Sequence, residues 1–134
     1  MTSRSILIVD DEANQRLMVE QALRALAFDW LIDTAGSGQE ALTSIGCHLP
    51  DLIITDYNMP LMNGLELITQ VRQRQISARI ILITAYSSPE LYDAAQRLSI
   101  DHYLTKPVPL TLLRRLAISA LEQFPDDCSS YLPR

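Results

Sequence analysis

Four short apolar runs in this chain each stop at polar side chains. Ile6-Leu7-Ile8-Val9 ends at Asp10 and Asp11, Leu52-Ile53-Ile54-Thr55 at Asp56, Ile80-Ile81-Leu82-Ile83 at Thr84, and Tyr103-Leu104-Thr105 at Lys106. A run of this length, rich in β-branched residues and bounded by turns, reads as a strand buried on both faces of a parallel sheet. Strands are expected near residues 5–9, 30–34, 52–55, 80–83 and 101–104, with segments of helical period between them. That is a (βα)5 pattern of the α/β class. Right-handed crossovers then place helices on both faces and predict a three-layer sandwich. Ligands of such sheets bind outside the carboxyl ends of the strands, so three acids, a hydroxyl and a lysine are expected to meet at one edge.

The helical segments carry their own signals. Met18, Ala22, Ala25 and Leu26 recur at helical spacing and predict the buried stripe of the first helix. Ser37-Gly38-Gln39-Glu40 has the form of a capping box opening a second helix through Ala41, Leu42 and Ile45. Gly64 introduces a third, through Leu67, Ile68 and Val71. Ser88-Pro89-Glu90 opens a fourth, with serine at the N-cap and proline at the first helical position. Leu91, Ala94, Ala95 and Leu98 form its apolar stripe, and Leu112, Leu113, Leu116, Ala117, Ala120 and Leu121 that of the fifth. Pro125 marks where that pattern has ended, so residues 1–124 read as one domain and 125–134 as a tail or the start of a linker.

Composition narrows the function. The 134 residues, 48% hydrophobic and 20% charged, suit one globular core. A net charge of −5, with only Arg114-Arg115 as a basic pair, argues against direct nucleic-acid binding. The first apolar run is too short for a signal peptide or membrane span, which predicts a cytoplasmic protein without membrane contact. Cys47 and Cys128 lack the spacing of a zinc site, and Cys47 is expected to be buried after a helix. Lys106 is the sole lysine, so chemistry that needs a compact ammonium must use it.

Taken singly, Asp10-Asp11 reads as a turn or helix start, Thr84 as a turn hydroxyl and Tyr103 as a strand-edge ring. Asp56 and Lys106 at matching strand ends shift the balance toward a site. The ordered motifs Ile-Val-Asp-Asp-Glu at 8–12, Thr-Asp-Tyr-Asn-Met-Pro at 55–60, Asn63-Gly64, Thr84-Ala85 and Tyr-Leu-Thr-Lys-Pro at 103–107 carry a resemblance. Over residues 5–123 the chain resembles the response-regulator receiver domain, whose sheet is flavodoxin-like with strand order 2-1-3-4-5.

The resemblance implies that Asp56 is the phosphoacceptor and that Asp10, Asp11, Asp56 and the backbone carbonyl of Asn58 hold Mg²⁺, Asp10 through water. Hard oxygen ligands suit that cation. It implies that Lys106 and Thr84 assist phosphoryl transfer, that Thr84 and Tyr103 form the switch to the surface of the fourth helix, fifth strand and fifth helix, and that Asn58 and Tyr86 flank the path of hydrolytic water. A bulky Tyr86 is expected to shield the acyl phosphate. The Lys106–Pro107 bond is expected to be cis. The implied partner is a histidine kinase or histidine phosphotransfer protein, with phosphorylation-dependent homodimerisation left open. Such a protein is a signalling switch that catalyses only its own phosphorylation and dephosphorylation.

Two departures stand out. Ser99-Ile100 replaces the usual Gly-Ala before the last strand, so a turn suited to positive φ lacks glycine. Val108 stands where the family often has Phe. His48 and His102 read as ordinary surface or edge residues, and Glu12 as a first-turn acid favouring the helix dipole. Leu110 and Ile118 fit either a partner face or a wide core stripe. The alternative function is a receiver-like interaction module that works without phosphorylation. A haloacid-dehalogenase-type hydrolase lacks its second aspartate, since Asn58 stands two residues after Asp56. A flavin-binding protein would need a phosphate loop after the first strand, where this chain has acids.

Overall fold

The computed structural model describes residues 3–122. Five strands, β1 (Ser5–Val9), β2 (Leu31–Ala35), β3 (Leu52–Asp56), β4 (Arg79–Thr84) and β5 (His102–Thr105), alternate with α1 (Ala13–Arg24), α2 (Gly38–Cys47), α3 (Gly64–Gln73), α4 (Pro89–Arg97) and α5 (Leu110–Glu122). All pairings are parallel, in the order β2-β1-β3-β4-β5. The expected tail at 125–134, with Cys128, lies outside the described residues.

Strand alternation divides the core into two halves. Leu7, Val9, Ile53, Ile80 and Leu82 pack under α2, α3 and α4. Ile6, Ile8, Leu52, Ile54, Ile81 and Ile83 pack under α1 and α5. Two buried faces explain why β1 and β3 are apolar without interruption, while the edge strands β2 and β5 are only partly covered. Two carboxylates finish the sheet at its amino end. Asp51 accepts the Ser5 N–H at 2.8 Å, and Asp101 accepts the Ile80 N–H at 2.8 Å.

Most helix signals hold, with local corrections. The α1 stripe is rotated from the expected one: Leu23 is buried at 1% while Met18 is 50% exposed, and Ala25 is exposed beyond the last helical residue. Arg16 and Arg24 fix that rotation by donating to the Asp10 and Ile32 carbonyls. Ser37 accepts from Glu40 N–H, but the Glu40 carboxylate reaches Gly36 N–H instead of closing a full capping box. The full box is on α3, where Asn63 and Glu66 bond each other's backbone N–H. Glu12 is the N-cap of α1 and not a first-turn residue, and its side chain makes no cap bond. Cys47 closes α2 and is exposed, because the helix buries Ala41, Leu42 and Ile45 on its opposite side.

The glycine-less turn before β5 keeps the left-handed geometry, with Ser99 at φ 58°. Arg72 holds it there. Its guanidinium donates to the carbonyls of Leu98, Ser99, Ile76 and Ala78 at 2.9–3.0 Å, joining the end of α3 to both loops around β4 and α4.

Candidate functional site

Register brings the predicted residues together. Val9 pairs with Thr55, so Asp10 and Asp56 leave neighbouring strands side by side. Backbone bonds pin each strand end: Asp10 N–H to Ala35 at 3.1 Å, Tyr57 N–H to Ile83 at 2.7 Å and Lys106 N–H to Thr84 at 2.8 Å. One carboxylate oxygen from each of Asp10, Asp11 and Asp56 lies within 4.8 Å of the other two. Asp10 and Asp56 are buried and Asp11 is exposed.

Lys106 Nζ stands 2.9 Å from Asp56 Oδ1. Apart from that ion pair the buried Oδ1 has no hydrogen-bond partner, so it keeps acceptor capacity unused. A buried oxygen of this kind, in a set of three hard carboxylates with no sulfur or imidazole, fits Mg²⁺ chemically. Burial pushes the Asp10 carboxyl up, opposed by the Glu12 N–H at 2.9 Å and reinforced by Asp56. Burial likewise raises Asp56 above the ordinary carboxylate range, although Lys106 pulls it down. For Lys106 burial opposes the charge, but Asp56, Asp10 and Glu12 prevail and hold it above its usual value. Three carboxylates against one ammonium leave a site that attracts cations.

The remaining residues ring this cluster. Asn58 is exposed on the β3–α3 loop. The Thr84 side chain is fully buried, and its hydroxyl donates to the Tyr86 carbonyl at 3.1 Å and accepts the Tyr86 N–H at 3.2 Å. Tyr86 is 81% exposed. The half-buried Tyr103 shares a 2.8 Å hydrogen bond with Ser87 and meets Tyr92 edge-to-face at 5.2 Å. The Lys106–Pro107 peptide is cis. A cavity of about 560 Å³ runs from Asp10, Asp56 and Lys106 along Val19, Val108 and Leu113 between α1 and α5, and Leu110 lines it. Ile118 is half-buried.

Sequence reasoning passed over Arg16, which donates to the Asp10 carbonyl at 2.6 Å, and over Ser87 and Tyr92. None sits in a local pattern that signals its role, since each acts on a residue brought near by folding.

A five-stranded parallel sheet of this order, with an acidic cluster and a lysine at its carboxyl edge, defines a receiver-type signalling fold. The chain belongs to the response regulator receiver domain family, whose model matches residues 6–117. It is 33% identical over 128 residues to the transcriptional regulatory protein PdtaR of Mycobacterium tuberculosis, covering 89% of this chain and 62% of that protein. An uncharacterised 14.6 kDa protein of Leptolyngbya boryana is 35% identical, covering 95% of this chain and 97% of the relative. The chemotaxis protein CheY4 of Vibrio cholerae superimposes with a TM-score of 0.81 at 29% identity, covering 89% of this chain and 99% of that one. The chain thus spans less than two thirds of the regulator PdtaR. Among the described residues no helix is long and apolar enough to cross a membrane.

Proposed function

We propose that this receiver takes a phosphoryl group onto Asp56 from a phosphohistidine on a histidine kinase or histidine phosphotransfer protein. The observation that carries the reading is the buried Asp56 carboxylate, 5% exposed, paired with the sole lysine and clustered with Asp10 and Asp11. An Asp56 oxygen attacks phosphorus, the P–N bond breaks, and its electron pair returns to the imidazole nitrogen. Transfer of this kind needs positioning and charge stabilisation more than covalent help. Asp10, Asp11, Asp56 and the Asn58 carbonyl would hold Mg²⁺, with Asp10 acting through water. Bound Mg²⁺ would supply positive charge opposite the acids and a place for phosphoryl oxygens.

Lys106 pairs with the new phosphoryl charge, and the Thr84 hydroxyl leaves Tyr86 to join it. Carrying a switch from mostly off to mostly on takes about 5.5 kcal/mol. Two or three charge-assisted bonds at about 1.5 to 3 kcal/mol each are enough. Withdrawal of Thr84 disturbs the loop that holds Tyr103, and so the α4-β5-α5 face. Asn58 and Tyr86 set access of water to the acyl phosphate. The domain works as a cytoplasmic switch whose only catalysis is on itself. It has no nucleic-acid surface of its own, and its output is read by a partner or by dimerisation on phosphorylation.

Incubation with Mg²⁺ and acetyl phosphate should add one base-labile phosphoryl group, lost in Asp56→Asn and strongly slowed in Asp11→Ala. An adduct that persists in Asp56→Asn assigns the wrong acceptor. No adduct in the wild type favours the phosphorylation-independent module.

A further inference from the structure

We infer that Gly64, the first residue of α3, is a positioning residue for the acidic site, acting through the backbone of Asp56 and Tyr57. This rests on the proposed phosphoacceptor reading and extends it to a residue without a side chain. Gly64 has no positive φ, so space and not conformational freedom demands glycine here. A Cβ at this position would stand 2.6 Å from the Asp56 carbonyl oxygen, 2.9 Å from Leu82 Cδ1 and 3.0 Å from the Tyr57 Cα. Two of these three atoms are backbone and cannot rotate away. At Gly38 the three nearest atoms, at 2.6–3.0 Å, all belong to the Met62 side chain and none to backbone.

Neither partner can easily retreat. Helix α3 is held by fully buried Leu67, Ile68 and Val71 and by the Asn63–Glu66 capping box. Strand β3 is bonded on both sides, by β1 and β4. The Gly64 N–H also donates to the Tyr57 carbonyl at 2.9 Å, tying the helix start to the residue after Asp56. A methyl group inserted at 64 therefore transmits its displacement to residues 56–58, which carry the acceptor and the Asn58 carbonyl. Core packing does not give way continuously, so the short connecting stretch absorbs the shift.

The test measures Mg²⁺ affinity by calorimetry and the Mg²⁺-induced rise in the urea midpoint, on the whole chain. Gly64→Ala should bind Mg²⁺ about tenfold more weakly or worse, the scale seen when groups supporting metal ligands are lost. Gly64→Ala/Leu82→Val, which deletes the Leu82 Cδ1 contact and leaves both backbone contacts in place, should not regain affinity. Glu66→Ala, which weakens the start of α3 without crowding Asp56, should keep Mg²⁺ affinity within about twofold. Restored affinity in the double variant, unchanged affinity in Gly64→Ala, or failure of both to fold would each overturn the inference. Wild-type protein that neither binds Mg²⁺ nor accepts phosphate would instead overturn the functional reading.

Discussion

Removing the Arg72 guanidinium should cost this domain about 3 kcal/mol. Four of its N–H groups meet four carbonyls at 2.9–3.0 Å, those of Leu98, Ser99, Ile76 and Ala78. At about 1.5 to 3 kcal/mol each, charge-assisted bonds would total about 6 to 12 kcal/mol before solvation is counted. Two effects reduce that sum. Burial pushes the Arg72 pKa down, so the folded state already bears a desolvation cost. Ser99 is exposed, so its carbonyl regains water when the side chain goes. That leaves Ala78, which is buried, and Ile76 and Leu98, which are half-buried against the core. Each orphaned carbonyl costs about 1 kcal/mol or more, giving the estimate.

Arg72→Met keeps the aliphatic stem and isolates the loss of these bonds. Urea unfolding followed by far-ultraviolet circular dichroism, at a slope of about 2 kcal/mol per molar, should show a midpoint about 1.5 M lower. Arg72→Lys should recover less than half, because a point ammonium cannot span four carbonyls as a planar fork does. Amide exchange near Ser99 should quicken most, since its left-handed turn loses its clamp. A loss under about 1 kcal/mol, or full rescue by lysine, would show that the four guanidinium bonds do not hold these loops.

Without Mg²⁺, Asp10→Asn should be more stable than wild type at neutral pH, because burial raises the Asp10 carboxyl. The sign follows from linkage: the folded state holds the proton more tightly, so wild-type stability rises as pH falls through the raised value. The variant's advantage should therefore shrink on acidification toward the unfolded value near 3.8, as thermal melts at stepped pH can read. Saturating Mg²⁺ should reverse the order at neutral pH. Tyr86→Ala should hasten loss of the acyl phosphate, measured by decay of labelled protein; an unchanged rate removes Tyr86 as a shield. Ser87→Ala takes away the hydroxyl partner of Tyr103 and should loosen its ring, visible in tyrosine NMR signals. Ring signals identical to wild type would show that the edge contact with Tyr92 holds the ring unaided.

The architecture was legible because it rests on local, repeated signals. Apolar runs of strand length, the Ser88-Pro89 cap and the Leu67, Ile68 and Val71 stripe are properties of consecutive residues, and these lie where their pattern placed them to within a residue or two. The positions at strand ends were legible for the same reason, since an apolar run that stops at an acid marks an edge. Folding decided what depends on the meeting of distant segments. It chose Leu23 over Met18 for the core, because helical period permits more than one face and only docking against the sheet and α5 selects among them. It left Cys47 in solvent, kept the Ser99 turn left-handed under Arg72, and engaged Thr84 and Tyr103 with the β4–α4 loop. Sequence spacing names the groups that can react, whereas close approach such as that of Gly64 to the Asp56 carbonyl exists only after packing, where steric fit acts over tenths of an ångström.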